Sequence, residues 1–378
     1  MEQHSKQMES IMVHKDGQPV YPIILTDSFD DLESSLAFMT LSKKRVCIVA
    51  DSRVAELYLE QIRGRFARIA GETYAFTFPA GEAHKTLDTV RTLYEFLIRH
   101  SFDRNDVLVA LGGGVTGDLT GFAAATYLRG IDFIQMPTTL LSQVDSSIGG
   151  KTGVDFDAYK NMVGAFYMPG LVYINVSVLK TLSEDQFASG MGEVIKHGCI
   201  RSREYFDWLR ENRALIRERQ QEALLHTVRE SCLIKKAVVE EDPTEKGVRA
   251  CLNFGHTLGH AIEKEKHFTM SHGACVGAGS LAAAWISCRR GLITEEELQA
   301  LEELLQYFHI PTSITGLDTE RILDAVRHDK KMDSGVIKFI LLKEVGCAYI
   351  DRTVTAEEMR RSLEWLGRNV HGTEIEKA

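Results

Sequence analysis

The sequence at residues 107–118, VLVALGGGVTGD, places an apolar strand directly before a glycine-rich turn and a helix-like segment. The glycines at positions 112, 114 and 117 satisfy the pattern GxGxxG. Such glycines let backbone amides approach a pyrophosphate closely, and the N-terminus of the following helix attracts that charge. The stretch therefore predicts dinucleotide binding beyond the carboxyl end of a parallel strand, although a tight turn without a ligand would give the same pattern.

The segments around this turn repeat the same order of strand and helix. Amphipathic helical stretches, for example residues 54–66 and 87–100, separate strand-like runs at residues 21–25, 45–50, 74–78, 107–111 and 132–136. From about residue 179 onward helical periodicity dominates, at residues 184–199, 221–240, 252–264, 275–288 and 295–308. We therefore expect an α/β domain with a mostly parallel, Rossmann-like sheet over residues 1–178 and an all-helical domain over residues 179–378.

Composition and charge exclude several classes of function. A formal net charge of -9 without any block rich in Lys or Arg argues against a nucleic-acid surface. The longest run of small and apolar residues, 273–288, is shorter than the roughly 20 residues that span a bilayer, and the N-terminus lacks the apolar core of a secretory signal. Seven scattered cysteines without a CxxC pair predict reduced core thiols. We expect a cytoplasmic protein whose partners are small molecules, with no nucleic acid and no membrane.

A loop rich in hydroxyls and glycines follows the last clear strand of the first half. Residues 137–153 read PTTLLSQVDSSIGGKTG and contain Asp145 and Lys151, and Lys160 with Asn161 follow closely. These cations and donors suit phosphate or carboxylate oxygens, although a solvated polar turn would share the composition. Asp51, which ends the second predicted strand, is the candidate for the adenosine ribose, and a helix-capping Asp would look the same.

Three histidines in the helical half indicate a metal site. His256 and His260 in NFGHTLGH are four residues apart and share one helix face. Thr257 stands where the glutamate of a metalloprotease HExxH motif would be, so peptide hydrolysis is disfavoured. The third ligand is either His272 or the acid Glu193, and a hydrogen-bonded core imidazole is the alternative for each histidine.

Taken together, these segments resemble the 3-dehydroquinate synthase family within the sugar-phosphate cyclases. The resemblance covers nearly the whole chain through the motifs GEAHK (81–85), LGGGVTGD (111–118), ATYLRG (125–130), PTTLLSQVDSSIGGKTGV (137–154), KNMVGAF (160–166), GEVIKHG (192–198), LNFGHTLGHAIE (252–263), SHG (271–273) and HDKK (328–331). The chain departs from the usual family form at Gly192, where Ala is common, and at Ala274, where Glu follows the HG pair. A missing acid beside His272 would alter the orientation of this histidine and the affinity for metal.

The resemblance implies a role for individual residues. The implied ligands of one divalent metal ion, zinc or cobalt, are Glu193, His256 and His272, with His260 as a neighbouring polar or proton-relay group. The implied NAD-binding residues are Asp51, Glu82, Lys85, Gly114, Val115, Thr116, Gly117, Asp118, Thr138, Thr139, Lys151, Lys160 and Thr181. The groups implied to bind or orient the substrate anion are Lys151, Asn161, Lys196, Lys235, Arg249 and Asn253. Arg129 is implied to reach the substrate phosphate across a subunit contact of a homodimer, one or both of Lys330 and Lys331 to assist, and Asp145 to act as an acid/base or orienting group.

The reaction implied by the resemblance is the conversion of 3-deoxy-D-arabino-heptulosonate 7-phosphate, a sugar-acid phosphate, to 3-dehydroquinate and phosphate. It would proceed by transient oxidation by NAD, phosphate elimination, reduction and intramolecular aldol closure. The VDSSIGGKTG loop and the pair Arg249 and Asn253 favour this activity over related cyclases such as aminodehydroquinate synthase. A metal-dependent polyol or glycerol-phosphate dehydrogenase is the runner-up. A catalytically silent binding protein would have lost Glu193, a histidine or the lysines.

Overall fold

The structure, a computed structural model, describes residues 8–157, 159–243, 247–267, 269–330 and 337–368, and only the backbone of residues 329 and 330. It divides into a first unit, Met1–Leu182 with Gln221–Pro243, and a second unit, Ser183–Gln220 with Thr244–Ala378. The sequence predicted a single boundary after residue 178. In the structure the segment Gln221–Pro243, which lies beyond that boundary, belongs to the first unit. Within the first unit Arg229 donates to Glu9, and the Cys232 thiol to the Gln143 carbonyl, which explains why this segment packs there.

Eleven strands are present in the described residues: β1 (Glu9–Lys15), β2 (Gln18–Thr26), β3 (Arg45–Asp51), β4 (Glu72–Phe78), β5 (Val107–Gly112), β6 (Asp132–Pro137), β7 (Lys151–Phe156), β8 (Tyr159–Phe166), β9 (Leu171–Asn175), β10 (Phe339–Glu344) and β11 (Cys347–Asp351). Seven of them form the sheet of the first unit in the order β1-β2-β9-β6-β5-β3-β4. All its pairings are parallel except that of β1 with β2. The five strands expected in the first half and the mostly parallel sheet are thus confirmed.

The central strand β5 shows why the strands of this sheet have continuous runs of apolar residues in the sequence. All six of its residues are buried. Val107, Val109 and Leu111 pack into the core on one face, and Leu108 packs with Leu119 on the other. Because side chains alternate between faces, a strand covered by helices on both sides needs apolar residues at every position.

The α-helices of the described residues are α1 (Leu32–Ser35), α2 (Ser52–Val54), α3 (Glu60–Phe66), α4 (Leu87–Arg99), α5 (Gly114–Thr126), α6 (Glu184–Arg201), α7 (Arg203–Glu211), α8 (Arg213–Arg217), α9 (Gln221–Glu241), α10 (His256–Glu265), α11 (His272–Arg289), α12 (Glu295–Tyr307), α13 (Thr319–Lys330) and α14 (Ala356–Leu366). The segment Ala55–Leu59, between α2 and α3, is π-helical. Helix α4 is typical of the first unit: Thr86 caps it, and Val90, Leu93 and Leu97 form its buried stripe.

The second unit is mainly helical, as expected, with one addition. Strands β10 and β11 form an antiparallel hairpin, so the domain is not all-helical. The helix expected over residues 252–264 begins only at His256, because Gly255 adopts a left-handed φ of 80° after a 3-10 turn at Val248–Asn253. Arg249 and Asn253 therefore lie on a turn before the histidine helix. In the described part of the chain, no helix combines the length and apolarity needed to cross a bilayer.

Candidate active site

Three helices of the second unit bring a carboxylate and three imidazoles together. Glu193 lies in the middle of α6, His256 and His260 lie on the first two turns of α10, and His272 begins α11. The Nε2 atoms of His256 and His272 each lie 3.6 Å from Glu193 Oε1. One nitrogen from each of His256, His260 and His272 lies within 4.8 Å of the others.

These separations fit a single bound cation. Tetrahedral ligands that hold zinc at about 2.1 Å lie about 3.4 Å from one another, close to the two distances between imidazole nitrogen and carboxylate oxygen. One carboxylate and two imidazoles form a donor set that zinc and cobalt accept, and a catalytic ion keeps its fourth position open. The residues therefore fit a divalent ion, and the ring of His260, centred 5.1 Å from that of His256, stands beside them.

Burial and charge set the protonation of this cluster. Glu193 is 1% exposed and pairs with Lys196, one helical turn later. Burial alone would raise the pKa of the Glu193 carboxyl, but Lys196 and the two imidazoles hold it well below its usual range. Burial, reinforced by Lys196, lowers the pKa of His256 to about 3. Burial also acts to lower the pKa of His272, but the neighbouring carboxylates of Glu193 and Glu263 raise it to about 9.

The position of His272 follows from the start of α11. Ser271 caps this helix, since its hydroxyl oxygen accepts the backbone N–H of Ala274 at 3.4 Å. Residue 274 is thus the third residue of the helix, where a glutamate following a serine cap completes a capping box. A glutamate at position 274, which the resemblance implies for related chains, would therefore have a helix-capping explanation that is independent of His272.

In the first unit, the glycine turn between β5 and α5 is tied to Asp51. Gly113 is the N-cap of α5, and Thr116 Oγ1 donates to Asp51 Oδ2 at 3.4 Å. Asp51 also caps α2, because its Oδ1 accepts the N–H groups of Arg53 and Val54. A β-carbon on Gly114 would lie 3.1 Å from Ser146 Oγ, so the turn is already closely packed. The turn presents the N-terminus of a 13-residue helix, which suits an anion.

Lys85 connects this turn to the β7–β8 hairpin. Its side chain is 4% exposed, and its Nζ donates to Asp118 Oδ2 at 2.6 Å and to Asn161 Oδ1 at 2.5 Å. Burial opposes the charge on Lys85, but Asp118 and Glu82 raise its pKa. The predicted cofactor residues Lys85 and Asp118 are thus brought together with Asn161, which was predicted to meet the substrate.

The remaining predicted residues of the first unit lie on the turns after β4, α5, β6 and β9, on the β7–β8 hairpin and on helices α5 and α9. Lys235 Nζ donates to Asp145 Oδ1 at 2.5 Å, so these two substrate-site candidates form an ion pair. Thr139 pairs with Ser142 and Thr181 with Tyr58, while the N–H of Thr138 donates to Gly112. Exposed positions are occupied by Glu82, Arg129, Lys151 and Lys160, whereas Val115 and Gly117 lie in the first turn of α5.

In the second unit Arg249 is 2% exposed and Asn253 is half-buried. The side chain of Lys330 and the whole of Lys331 lie outside the described residues, so their assignment stays a prediction. Glu263 was not predicted from the sequence, and its carboxylate lies 3.5 Å from His272 Nδ1. A usable signal existed, because Glu263 follows His256 by seven residues and His260 by three, and so shares their helix face.

Comparison with known proteins places this geometry in a family. The models described as 3-dehydroquinate synthase N-terminal and 3-dehydroquinate synthase C-terminal match residues 75–189 and 190–332. The chain is 40% identical over 348 residues to the 3-dehydroquinate synthase of Acetivibrio thermocellus. The aligned region covers 92% of this chain and 96% of the relative. The two matched segments together cover residues 75–332, the range that contains Glu193, His256 and His272.

Two solved structures share the fold over nearly the full length. One is the 2-epi-5-epi-valiolone synthase ValA from Streptomyces hygroscopicus subsp. jinggangensis with NAD+ and Zn2+ bound, with a TM-score of 0.85, 27% identity, and coverage of 94% of this chain and 98% of the other. The other is 2-deoxy-scyllo-inosose synthase with carbaglucose-6-phosphate, NAD+ and Co2+, with a TM-score of 0.83, 26% identity, and coverage of 94% and 99%.

Proposed function

Because the chain belongs to the 3-dehydroquinate synthase family, we propose that it acts with one bound NAD and one divalent metal ion, zinc or cobalt. The function of the family is that of this chain: it converts 3-deoxy-D-arabino-heptulosonate 7-phosphate to 3-dehydroquinate and phosphate in the shikimate pathway. The observation that carries the metal dependence is the convergence of Glu193, His256 and His272 within the second unit.

The metal ion would be held by these three side chains, and the NAD by the turn between β5 and α5 with Asp51 and Lys85 near it. When bound, NAD supplies reversible hydride transfer, and the metal polarises neighbouring hydroxyl groups of the substrate. The donor set, the 3.6 Å separations and the NAD+ and Zn2+ or Co2+ of the two solved structures support this proposal.

The chain's own residues bind and orient an anionic substrate. Lys151, Lys196, Lys235, Arg249, Asn161 and Asn253 are proposed as the ring of cations and amides around it. Lys196 also neutralises Glu193, and Lys235 fixes the orientation of the Asp145 carboxylate through its hydrogen bond to Oδ1. Asp145 is thereby placed to hold a proton or a substrate hydroxyl. Because no net oxidation occurs, orientation and charge stabilisation are the main contributions of these side chains.

A homodimer is proposed from the surface of the β7–β8 hairpin. Four large apolar side chains of this hairpin are between 46% and 61% exposed, namely Phe156, Tyr159, Met162 and Phe166. Leu128, which is 41% exposed, precedes Arg129. Clustered exposed apolar residues are typical of association surfaces, and such a contact would let Arg129 reach the substrate phosphate of the partner.

A cytoplasmic location is supported by seven free cysteines, of which five are buried.

The activity is tested with purified protein, heptulosonate phosphate, NAD and zinc. The expected result is release of phosphate with formation of dehydroquinate and without steady accumulation of NADH. Accumulation of NADH from a polyol, with no phosphate released from the sugar phosphate, would instead support the metal-dependent dehydrogenase. A chelator should abolish the activity, and added zinc or cobalt should restore it.

A further inference from the structure

The two histidines proposed as metal ligands are arranged alike on both of their ring nitrogens. His256 directs Nε2 at Glu193 Oε1 and Nδ1 at the carbonyl oxygen of Phe254, 3.2 Å away. His272 directs Nε2 at the same Glu193 oxygen and Nδ1 at Glu263 Oε2, 3.5 Å away. In both rings, therefore, Nδ1 faces an oxygen acceptor while Nε2 faces the cluster of ligands.

This arrangement decides which tautomer each imidazole adopts when it binds a metal ion. A neutral imidazole has one N–H donor and one nitrogen with a lone pair. An acceptor beside Nδ1 keeps the proton there and leaves the Nε2 lone pair for a cation. For His256 the acceptor is a backbone carbonyl, which any residue at position 254 would supply. For His272 the acceptor is a side-chain carboxylate, which depends on the residue type at position 263.

Glu263 is placed for this role by its helix and its burial. It lies on α10, on the same face as His256 and His260, and is 5% exposed. A buried carboxylate loses hydration and requires a polar partner in return. His272, at the start of the neighbouring helix α11, is such a partner.

We infer that Glu263 is a positioning residue for the metal site, which fixes His272 with its proton on Nδ1 and its Nε2 directed at the ion. The inference rests on the metal dependence proposed above. It also explains why the chain can carry Ala274, since the carboxylate that orients His272 comes from α10 rather than from the start of α11.

The test compares the zinc affinity of purified wild type, Glu263→Ala and Glu263→Gln by competition with a chromophoric chelator. Removal of a carboxylate that orients a metal-bound histidine typically lowers affinity about 10- to 100-fold, which is the loss expected for Glu263→Ala. Glu263→Gln keeps an oxygen acceptor and should lose less. The matched control is Lys264→Gln, an exposed change on the same helix, which should leave the affinity unchanged.

The outcomes separate this inference from the proposal on which it rests. Wild type without zinc affinity would contradict both. Zinc affinity in wild type with equal affinity in Glu263→Ala would contradict the inference alone. Circular dichroism shows whether Glu263→Ala folds. If it does not fold, the zinc affinity of Glu263→Gln and the 15N spectra of histidine-labelled, zinc-loaded wild type replace it. A His272 proton on Nδ1 is expected in these spectra, and a proton on Nε2 would overturn the inference.

Discussion

Gly192 of α6 lies so close to Gly273 of α11 that a β-carbon on Gly192 would stand 2.5 Å from the Gly273 carbonyl oxygen. Gly192 precedes Glu193, and Gly273 follows His272. The distance between the two helices is therefore coupled to the distance between a carboxylate and an imidazole of the metal cluster. A backbone carbonyl cannot rotate away as a side chain can, so any larger residue must shift one of the helices.

Gly192→Ala is expected to destabilise the protein by about 1–3 kcal/mol and to weaken zinc binding, because the added methyl group separates α6 from α11. Thermal unfolding and chelator competition measure the two effects. Gly64→Ala is the control, since nothing lies within 4 Å of its added β-carbon, and this change in a helix should be neutral or stabilising. Unchanged stability and affinity of Gly192→Ala would show that the helices separate at no cost.

Ala274→Glu is expected to stabilise the protein by about 0.5–1 kcal/mol, because it completes a capping box with Ser271. Two such boxes are already present among the residues that the structure describes, Thr294 with Glu297 and Thr355 with Glu358. Urea unfolding of the metal-free protein measures the change. Zinc affinity should stay the same. An affinity gain of about tenfold or more would instead mean that an acid at position 274 acts on His272.

Arg290 gives the second unit a pH-dependent stabilisation. It binds both carboxylate oxygens of Glu358, at 2.6 and 2.9 Å, and lowers the pKa of Glu358 to about 2. The unfolded value is about 4.3, so the folded pKa is depressed. The stabilisation is then complete above about pH 5 and is lost as the pH falls toward 2.

Arg290→Met should accordingly lower the free energy of unfolding by about 1–2 kcal/mol at pH 7, after allowance for solvent screening of this partly exposed pair. The difference from wild type should shrink between pH 5 and pH 2, as measured by urea unfolding at several pH values. Arg361→Met, which removes an exposed ion pair with Glu357, should produce no measurable change. A difference that is constant with pH would rule out the ion pair as its cause.

Lys85→Met is expected to destabilise the first unit by about 2–4 kcal/mol, because it leaves the Asp118 carboxylate without the ammonium group that neutralises it. Asp118→Asn in the same chain should recover at least about 1 kcal/mol, since a neutral amide does not require that charge. Urea unfolding of both single variants and the double variant gives the coupling energy. Losses that simply add would show that the 2.6 Å contact contributes no coupling.

The sequence predicted the α/β half well because its strands are continuous apolar runs between clear helical stripes. It missed β9, Leu171–Asn175, since a five-residue buried run carries no periodicity of its own. It also missed the β7–β8 hairpin, because exposed apolar residues of β8 such as Met162 and Phe166 do not alternate with polar ones. The assignment of α9 to the first unit depends on tertiary contacts such as that of Arg229 with Glu9, which no local pattern encodes.

The residues of the proposed metal site were predicted from their spacing and motifs, but the geometry in which they meet could not be predicted. Spacing alone paired His256 with His260, because residues four apart share a helix face. Which of the histidines meets Glu193 depends on how α6, α10 and α11 pack, and that packing is set by close contacts such as Gly192 with Gly273. The spacing of Glu263 from His256 and His260 shows that it shares their helix face, but not that this face is buried, and it was therefore missed.

The metal site is tested most directly by the zinc content per chain of dialysed wild type and of the variants Glu193→Gln, His256→Ala, His272→Ala and His260→Ala. We expect one ion per chain in wild type, a large loss in the first three variants, and retention in His260→Ala. A full complement of zinc in His272→Ala would contradict the proposed metal site.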